Sequence, residues 1–204
     1  MNMKSLAVHH VAVAAGLVLA VGCGVSGQAS TTGPQTISGK AADAAVTHRS
    51  GGSGAKGTIA ACSQKDLGVS AVTEPADSKD ARHLLLTVQN AGDRKCNLYR
   101  YPLVRLGNGR TTAPVIKESD ATPGVPVTLA PGKEAYAALL VNGPMDEYEA
   151  KSITLSLQGR ETGSPAGKPI DVPMPVDTLY ANDFQRVTYW TTAPGFALDF
   201  IMSK

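Results

Sequence analysis

The sequence predicts an all-β domain, an antiparallel β-sandwich, preceded by an export signal and a tether. Apolar residues alternate with polar ones at a period of two in several short segments, as in strands with one buried face. Gly, Pro, Asn and Asp cluster between these segments, where they favour turns. No segment of about 12 residues carries the apolar stripe of an amphipathic helix. Short strands at this spacing are typical of a sandwich.

The strands are predicted from the alternation, and the connections from their turn residues. Asn108-Gly109 tolerates positive φ at both positions and predicts a tight hairpin. The segment from Asp146 to Lys151 is the best candidate for a short helical turn. The alternation places these residues on buried faces: Leu67, Val69 and Ala71; Leu84, Leu86 and Val88; Cys96 and Leu98; Val125, Val127 and Leu129; Ile153, Leu155 and Leu157.

Residues 1–22 have the order of a lipoprotein signal peptide. Lys4 supplies a positive start, and an apolar run of about 11 residues follows from Val11 to Val21. Such a run is shorter than the roughly 20 residues that a membrane-spanning helix needs. We therefore expect an exported protein.

The apolar run ends in Ala20-Val21-Gly22-Cys23, which resembles the bacterial lipobox. The resemblance implies that the Cys23 thiol carries a diacylglyceryl group and its freed amine a further acyl chain such as palmitate. Two or more acyl chains anchor a protein stably. Cys23 is thus the predicted lipidation site, and the outer face of the cytoplasmic membrane is the predicted location. The alternative is an ordinary secretory signal with a coincidental cysteine.

Residues 23–57 are predicted to be the lipidated cysteine and a flexible tether, and residues 58–204 the folded domain. The tether consists mainly of Gly, Ser, Thr, Ala and Gln, which bury too little apolar surface to offset the entropy of ordering them. The domain has 15 basic and 16 acidic residues, a net charge of −1, although the whole chain has +2. This balance gives no basic surface for nucleic acid, so no nucleic-acid partner is expected.

Cys62 and Cys96 remain once Cys23 is assigned to lipid, and an exported chain meets an oxidising environment. A disulfide between them closes a loop of about 35 residues and contributes about 3.8 kcal/mol in the chain-entropy model. The alternative is a reactive thiol pair, although the spacing is far from Cys-x-x-Cys and no His is adjacent. We expect the structural disulfide.

Four motifs resemble a family of exported actinobacterial proteins, many of them lipoproteins, that carry an immunoglobulin-like domain of unknown function (domain of unknown function 4232). The resemblance spans about residues 60–195 and implies an immunoglobulin-like sandwich, without an established activity. Arg100 stands where that family usually has Gly. The motifs are Cys62-Ser-Gln-Lys-Asp-Leu67, Leu84-Leu-Leu-Thr-Val-Gln-Asn-Ala-Gly92, Cys96-Asn-Leu-Tyr-Arg-Tyr-Pro102 and Leu129-Ala-Pro-Gly132.

The sequence has no recognisable catalytic motif, phosphate loop or dinucleotide fingerprint. His83 is the one histidine of residues 58–204 and is predicted on a solvent-facing strand surface. The acidic residues 146–149 lack the spacing of a calcium loop and are interpreted as a solvated loop. We therefore expect no catalytic residue, no metal site and no cofactor.

Tyr99 and Tyr101 alternate along one predicted strand and form a possible binding surface for an envelope protein or glycan. The alternative is that one ring packs over the sandwich edge. The aromatic stretch from Val187 to Ile201 is expected to close the core.

The sequence thus predicts a lipid-anchored cell-envelope protein of unknown biochemical activity, a non-enzymatic binding or structural module. The alternative function is an envelope hydrolase or wall-modifying accessory enzyme with a dispersed site.

Overall fold

The computed structural model describes residues 58–78 and 80–204. The predictions for residues 1–22 and 23–57, including lipidation of Cys23, lie outside the described residues. The described strands and helix are β1 (Leu67–Thr73), β2 (His83–Asn90), β3 (Cys96–Leu106), β4 (Val127–Leu129), β5 (Glu134–Leu140), β6 (Tyr148–Ala150), β7 (Ile153–Gln158), β8 (Ile170–Val172), β9 (Leu179–Ala181), β10 (Arg186–Val187) and α1 (Pro194–Asp199).

Two four-stranded antiparallel sheets form the domain, which confirms the predicted all-β sandwich. One sheet has the order β1-β2-β5-β10 and the other β4-β3-β7-β8, while β6 and β9 form a separate pair. Strand β4 pairs with β3 from Cys96 to Leu98, so it extends the second sheet.

One core cluster lies between the two sheets and follows the predicted alternation, except at Val125. The prediction is wrong there, because Val125 precedes β4 and is 65% exposed. Leu84, Leu86 and Val88 of β2 are completely buried and pack in the same cluster as Val104 of β3 and Leu155 of β7. Full burial of one such side chain contributes about 1.5–3 kcal/mol. The alternation along β2 therefore identifies its core face correctly.

A second apolar cluster covers the outer face of the first sheet. Ala138 and Leu140 of β5 pack there against Ala197 and Ile201 of the carboxyl-terminal segment. Strand β5 is thus buried on both faces and reads as a continuous apolar run, which the alternation rule does not detect. Pro194 begins α1, where its missing N–H breaks no hydrogen bond.

In the part of the chain that the structure describes, no helix has the length and apolarity to cross a membrane.

Two of the predicted local structures are wrong. The chain turns at Gly107, with φ 51°, rather than at Asn108-Gly109, and a long connection separates β3 from β4. In this connection Ala113 N donates to Val104 O at 2.7 Å, so the chain folds back without forming a hairpin strand. The predicted helical turn from Asp146 to Lys151 contains β6, because Ala150 is buried and pairs with Leu179 of β9.

The predicted disulfide between Cys62 and Cys96 is present, with Cα atoms 4.7 Å apart and a sequence separation of 34. Both cysteines belong to the core cluster. Cys62 N donates to Asn97 O at 2.9 Å, and Asn97 N donates to Ala60 O at 2.8 Å. The bridge and these hydrogen bonds fix the start of the domain alongside β3.

Asn90 joins two of the motifs that carry the family resemblance. Its side-chain nitrogen donates to Arg94 O at 2.8 Å and to Leu129 O at 3.0 Å, and its side-chain oxygen accepts from Gly92 N at 3.0 Å. Gly132 N donates to Asn90 O at 2.7 Å. Because Asn90 is completely buried, these bonds satisfy polar groups that water does not reach. The Asn-x-Gly and Pro-Gly motifs therefore stabilise the turn between β2 and β3.

His83 is partly buried at the start of β2 rather than solvent-facing as predicted. Its Nε2 is buried without a hydrogen-bond partner among the described residues. Burial lowers the pKa of the imidazole below its usual range, and the neighbouring Arg82 guanidinium lowers this pKa further. The Asp80 carboxylate and a backbone hydrogen bond with Ile201 act in the opposite direction. His83 thus packs beneath the carboxyl-terminal segment in its neutral form.

Replacing Cys62 and Cys96 together by Ala should lower the free energy of unfolding by about 3–4 kcal/mol, because the unfolded chain regains the entropy of the closed loop. Urea denaturation of the purified chain measures this change. The unaltered chain under reducing conditions is the control and should lose the same amount. Equal stability with and without the bridge would show that hydrogen bonds alone hold the domain start.

The domain should lose stability as the pH falls below about 6.5, the unperturbed pKa of histidine. Because the pKa of His83 is lowered in the folded chain, the unfolded chain binds a proton at His83 more readily in this range. The free energy of unfolding therefore decreases as the pH falls. His83→Gln should flatten the dependence between about pH 7 and pH 5.5, whereas His48→Gln, in the predicted tether, should leave it unchanged. Thermal unfolding at several pH values checks this, and an unaltered slope in His83→Gln contradicts it.

Candidate binding cleft

A cleft of about 520 Å³ opens beside the first half of β3. This volume lies within the range of about 300–1,000 Å³ that is usual for small-molecule sites. Residues 97–100 of β3 contribute the strand side, while loop residues and Val127 of β4 form the rest, as in many sites that rest on a rigid sheet. The other lining residues are Thr58, Asp120, Thr122, Gly124, Val125, Pro126, Val127, Arg160, Glu161, Tyr189 and Trp190.

The strand side of the cleft contains an irregularity in β3. The pairing of β3 with β7 changes register between Tyr99 and Leu103, and Arg100 has φ 57° in the left-handed region. This conformation costs a residue with a Cβ about 1 kcal/mol or more. Arg100 O accepts from Trp190 N at 3.0 Å, so the segment after β10 lies directly against the irregularity. Such bulges commonly redirect side chains beside functional sites.

The Arg100 side chain ties β3 to the loop that follows β7. Its guanidinium donates to Gly159 O at 2.8 Å, to Arg160 O at 2.9 Å and to Thr162 Oγ1 at 3.0 Å. These acceptors are uncharged, and Arg100 forms no ion pair within the described ranges. Arg100 therefore positions the wall that carries Arg160 and Glu161, and its donors are directed to this loop.

Tyr189 connects the cleft to the core. Its ring meets that of Tyr101 edge to face, with centroids 5.2 Å apart. Burial raises the pKa of the Tyr189 hydroxyl; the Asp120 carboxylate and Tyr101 raise this pKa further, while Arg100 opposes them. Tyr189 N donates to Ser119 Oγ at 3.0 Å, which holds the connection containing Asp120 beside it. The hydroxyl thus remains protonated at neutral pH, between groups of opposite charge.

The structure places Tyr99 and Tyr101 in different environments. Tyr99 is half-buried and lines the cleft, and its hydroxyl accepts from Asn97 Nδ2 at 3.5 Å. Tyr101 packs against the core cluster and contacts Tyr189. The pair predicted as one surface therefore contributes one ring to the cleft and one to the packing behind it.

Sequence reasoning did not identify the remaining cleft residues. The sequence predicts that Trp190, in the aromatic stretch from Val187 to Ile201, closes the core. Trp190 is 5% exposed and belongs to the core cluster, yet it also lines the cleft. Asp120, Arg160 and Glu161 lie on connections whose spatial meeting no local pattern encodes. The position of Arg100, where the resembling family usually has Gly, was the available signal, because it marks a backbone that requires positive φ.

The other residues considered for chemistry lie outside this cleft. His83 has Arg82 and Ile201 as neighbours. Glu149 lies on β6 and forms an exposed ion pair with Lys151 at 3.5 Å. Within residues 58–78 and 80–204, no group of three His, Cys, Asp or Glu is arranged to hold a metal ion.

The fold and the cleft define a class of protein, an antiparallel β-sandwich domain with a largely loop-walled cleft. Residues 62–191 match the family model described as Domain of unknown function (DUF4232), and this match covers more than half of the 204-residue chain. The chain belongs to this family. Its matched region begins at Cys62, the first cysteine of the disulfide. No curated protein and no solved structure matches the chain.

Arg100→Gly should loosen the loop after β7 while changing the free energy of unfolding by less than about 1 kcal/mol. Relief of the positive φ offsets the loss of the side-chain hydrogen bonds. Hydrogen exchange should accelerate at the amides of Gly159 and Ser164, which bond within that loop. Hydrogen exchange with mass spectrometry and urea denaturation check the two parts.

Arg105→Gly is the matched control, since Arg105 lies exposed on the same strand without positive φ. It should cost about 1 kcal/mol, as Gly does in a strand, and leave exchange in the loop unchanged. Equal rates of hydrogen exchange in the loop after β7 of the two variants would show that Arg100 does not position this loop.

Proposed function

We propose that this protein is an exported lipoprotein of the actinobacterial type, anchored on the outer face of the cytoplasmic membrane through Cys23. Its sandwich acts as a non-enzymatic binding module for a component of the cell envelope. The lipobox-like sequence at Cys23 supports the anchor, and the disulfide suits an oxidising compartment. The membrane is thus one partner, and the ligand of the domain is the other.

The cleft is the observation that carries the binding role. It combines half-buried aromatic rings of Tyr99 and Tyr189 with polar groups of both signs, on a strand whose irregularity Arg100 stabilises. A few placed polar groups beside apolar surface are what a small-ligand site requires. No chemical step is needed for such a module to act.

The composition of the cleft favours binding over hydrolysis by a Ser–His or Cys–His pair. Among the described residues that line it there is no His, Ser or Cys to form such a pair. The ionisable groups there are Asp120, Glu161, Arg100, Arg160 and two tyrosines. Arg100 is already committed to hydrogen bonds with the adjoining loop. These observations weigh against a Ser- or Cys-dependent hydrolase and support the binding role.

The cleft lies where the domain joins the predicted tether. Thr58, the first described residue, is part of its lining. The composition of residues 24–57 predicts a tether with a root-mean-square span of about 30–35 Å. We therefore expect the cleft to meet ligands within the inner part of the envelope, close to the membrane.

A photoreactive amino acid in place of Val125, which is 65% exposed on the cleft wall, should capture envelope material in intact cells. The same residue in place of Val72, 47% exposed on β1 and outside the cleft lining, is the control and should capture little. Cys23→Ser should release the protein into the medium and abolish capture, because the anchor holds the domain beside its ligand. Electrophoresis of cell and medium fractions after irradiation measures both effects.

Equal capture at Val125 and Val72 would argue against the cleft as the site. Membrane retention of the Cys23→Ser chain would argue against the lipid anchor. The two parts of the proposal are thus tested separately.

A further inference from the structure

We infer that the cleft binds an uncharged saccharide, so that the envelope ligand is a glycan. This inference rests on the proposed binding function and specifies its ligand. Three properties of the cleft carry it: the balance of formal charge, the mixture of hydrogen-bond donors and acceptors, and the aromatic surface at its base.

The formal charges around the cleft cancel. Arg100 and Arg160 contribute two positive charges, and Asp120 and Glu161 two negative ones. The Arg100 guanidinium donates to carbonyl and hydroxyl groups of the adjoining loop, which leaves Arg160 as the exposed cation on that wall. An anionic polymer would meet both carboxylates as well as this cation. A ligand without net charge avoids that repulsion.

The polar groups at the cleft supply donors and acceptors side by side. The Asp120 carboxylate accepts and the Tyr189 hydroxyl, which is protonated at neutral pH, also donates. Arg160 adds donors and Glu161 adds acceptors on the loop that follows β7. A sugar hydroxyl has one O–H donor and two acceptor lone pairs, so a polyhydroxylated ligand matches neighbouring donors and acceptors.

Aromatic and apolar surface completes the match. The half-buried Tyr99 ring lines the cleft, and Val125 is exposed on the wall beside it. A tyrosine offers an apolar ring with a polar tip, which suits a ligand with C–H faces and hydroxyl edges. The volume of about 520 Å³ is of a size for a short oligosaccharide segment rather than a folded protein surface.

Tryptophan fluorescence reports on the cleft, because the chain has a single tryptophan and this residue, Trp190, lines the cleft. We would titrate the full chain in detergent with tetrasaccharides of β-1,4-linked N-acetylglucosamine, β-1,4-linked glucose, α-1,4-linked glucose and β-1,3-linked glucose. Inorganic polyphosphate is the anionic probe. Saturable change in tryptophan emission measures binding at the cleft.

At least one of the four saccharides should change the emission, and polyphosphate should not. Tyr99→Ala should weaken that binding about tenfold, the upper range for one aromatic contact. Tyr180→Ala is the matched control, since Tyr180 is 54% exposed and outside the cleft lining, and it should bind normally. Val125→Lys alters an exposed wall residue, so the fold is retained and binding should still weaken.

No emission change with any of the four saccharides up to millimolar concentration overturns the inference, as does undiminished saccharide binding in both cleft variants. Saturable binding of polyphosphate alone overturns it in favour of an anionic ligand, while the binding function stands. Failure of photocapture at Val125 in cells would contradict the proposed binding function itself. The two failures are therefore distinguishable.

Discussion

The backbone of Arg100 is the constraint on which the cleft depends. Its positive φ interrupts the pairing of β3 with β7 and lets the segment at Trp190 hydrogen-bond to the strand. The side chain of the same residue then fixes the loop that carries Arg160 and Glu161. Arg100 thus aligns three parts of the chain: β3, the loop after β7 and the segment at Trp190. Its hydrogen bonds offset a backbone strain of about 1 kcal/mol.

The motifs of the family and the residues of the cleft have different physical roles. Cys62, Cys96 and Asn90 hold the start of the domain and the turns that follow β2 and β4, through a disulfide and buried hydrogen bonds. These interactions make β3 a rigid support. The cleft lies on that support but takes most of its surface from loops, which can differ between proteins without affecting the core. This chain adds Arg100 at a position that suits Gly.

The alternation of apolar residues predicts the sandwich and the core face of β2, because a period of two is a local property of a half-buried strand. It does not predict β5, which α1 covers on its second face, nor the turn at Gly107. The cleft is less accessible to sequence reasoning. Tyr99 is found by its alternation with Tyr101, but Asp120, Glu161 and Tyr189 meet only through tertiary structure.

The central claim is that the cleft beside β3 is the surface through which this domain recognises the envelope. Hydrogen exchange of the full chain, with and without purified cell-wall fragments, tests it most directly. Slower exchange is expected in residues 97–100, 120–127 and 189–190, with no change at the amides of β1. Protection confined to β1, or to the exposed surface around Met145 and Tyr180, would contradict the claim.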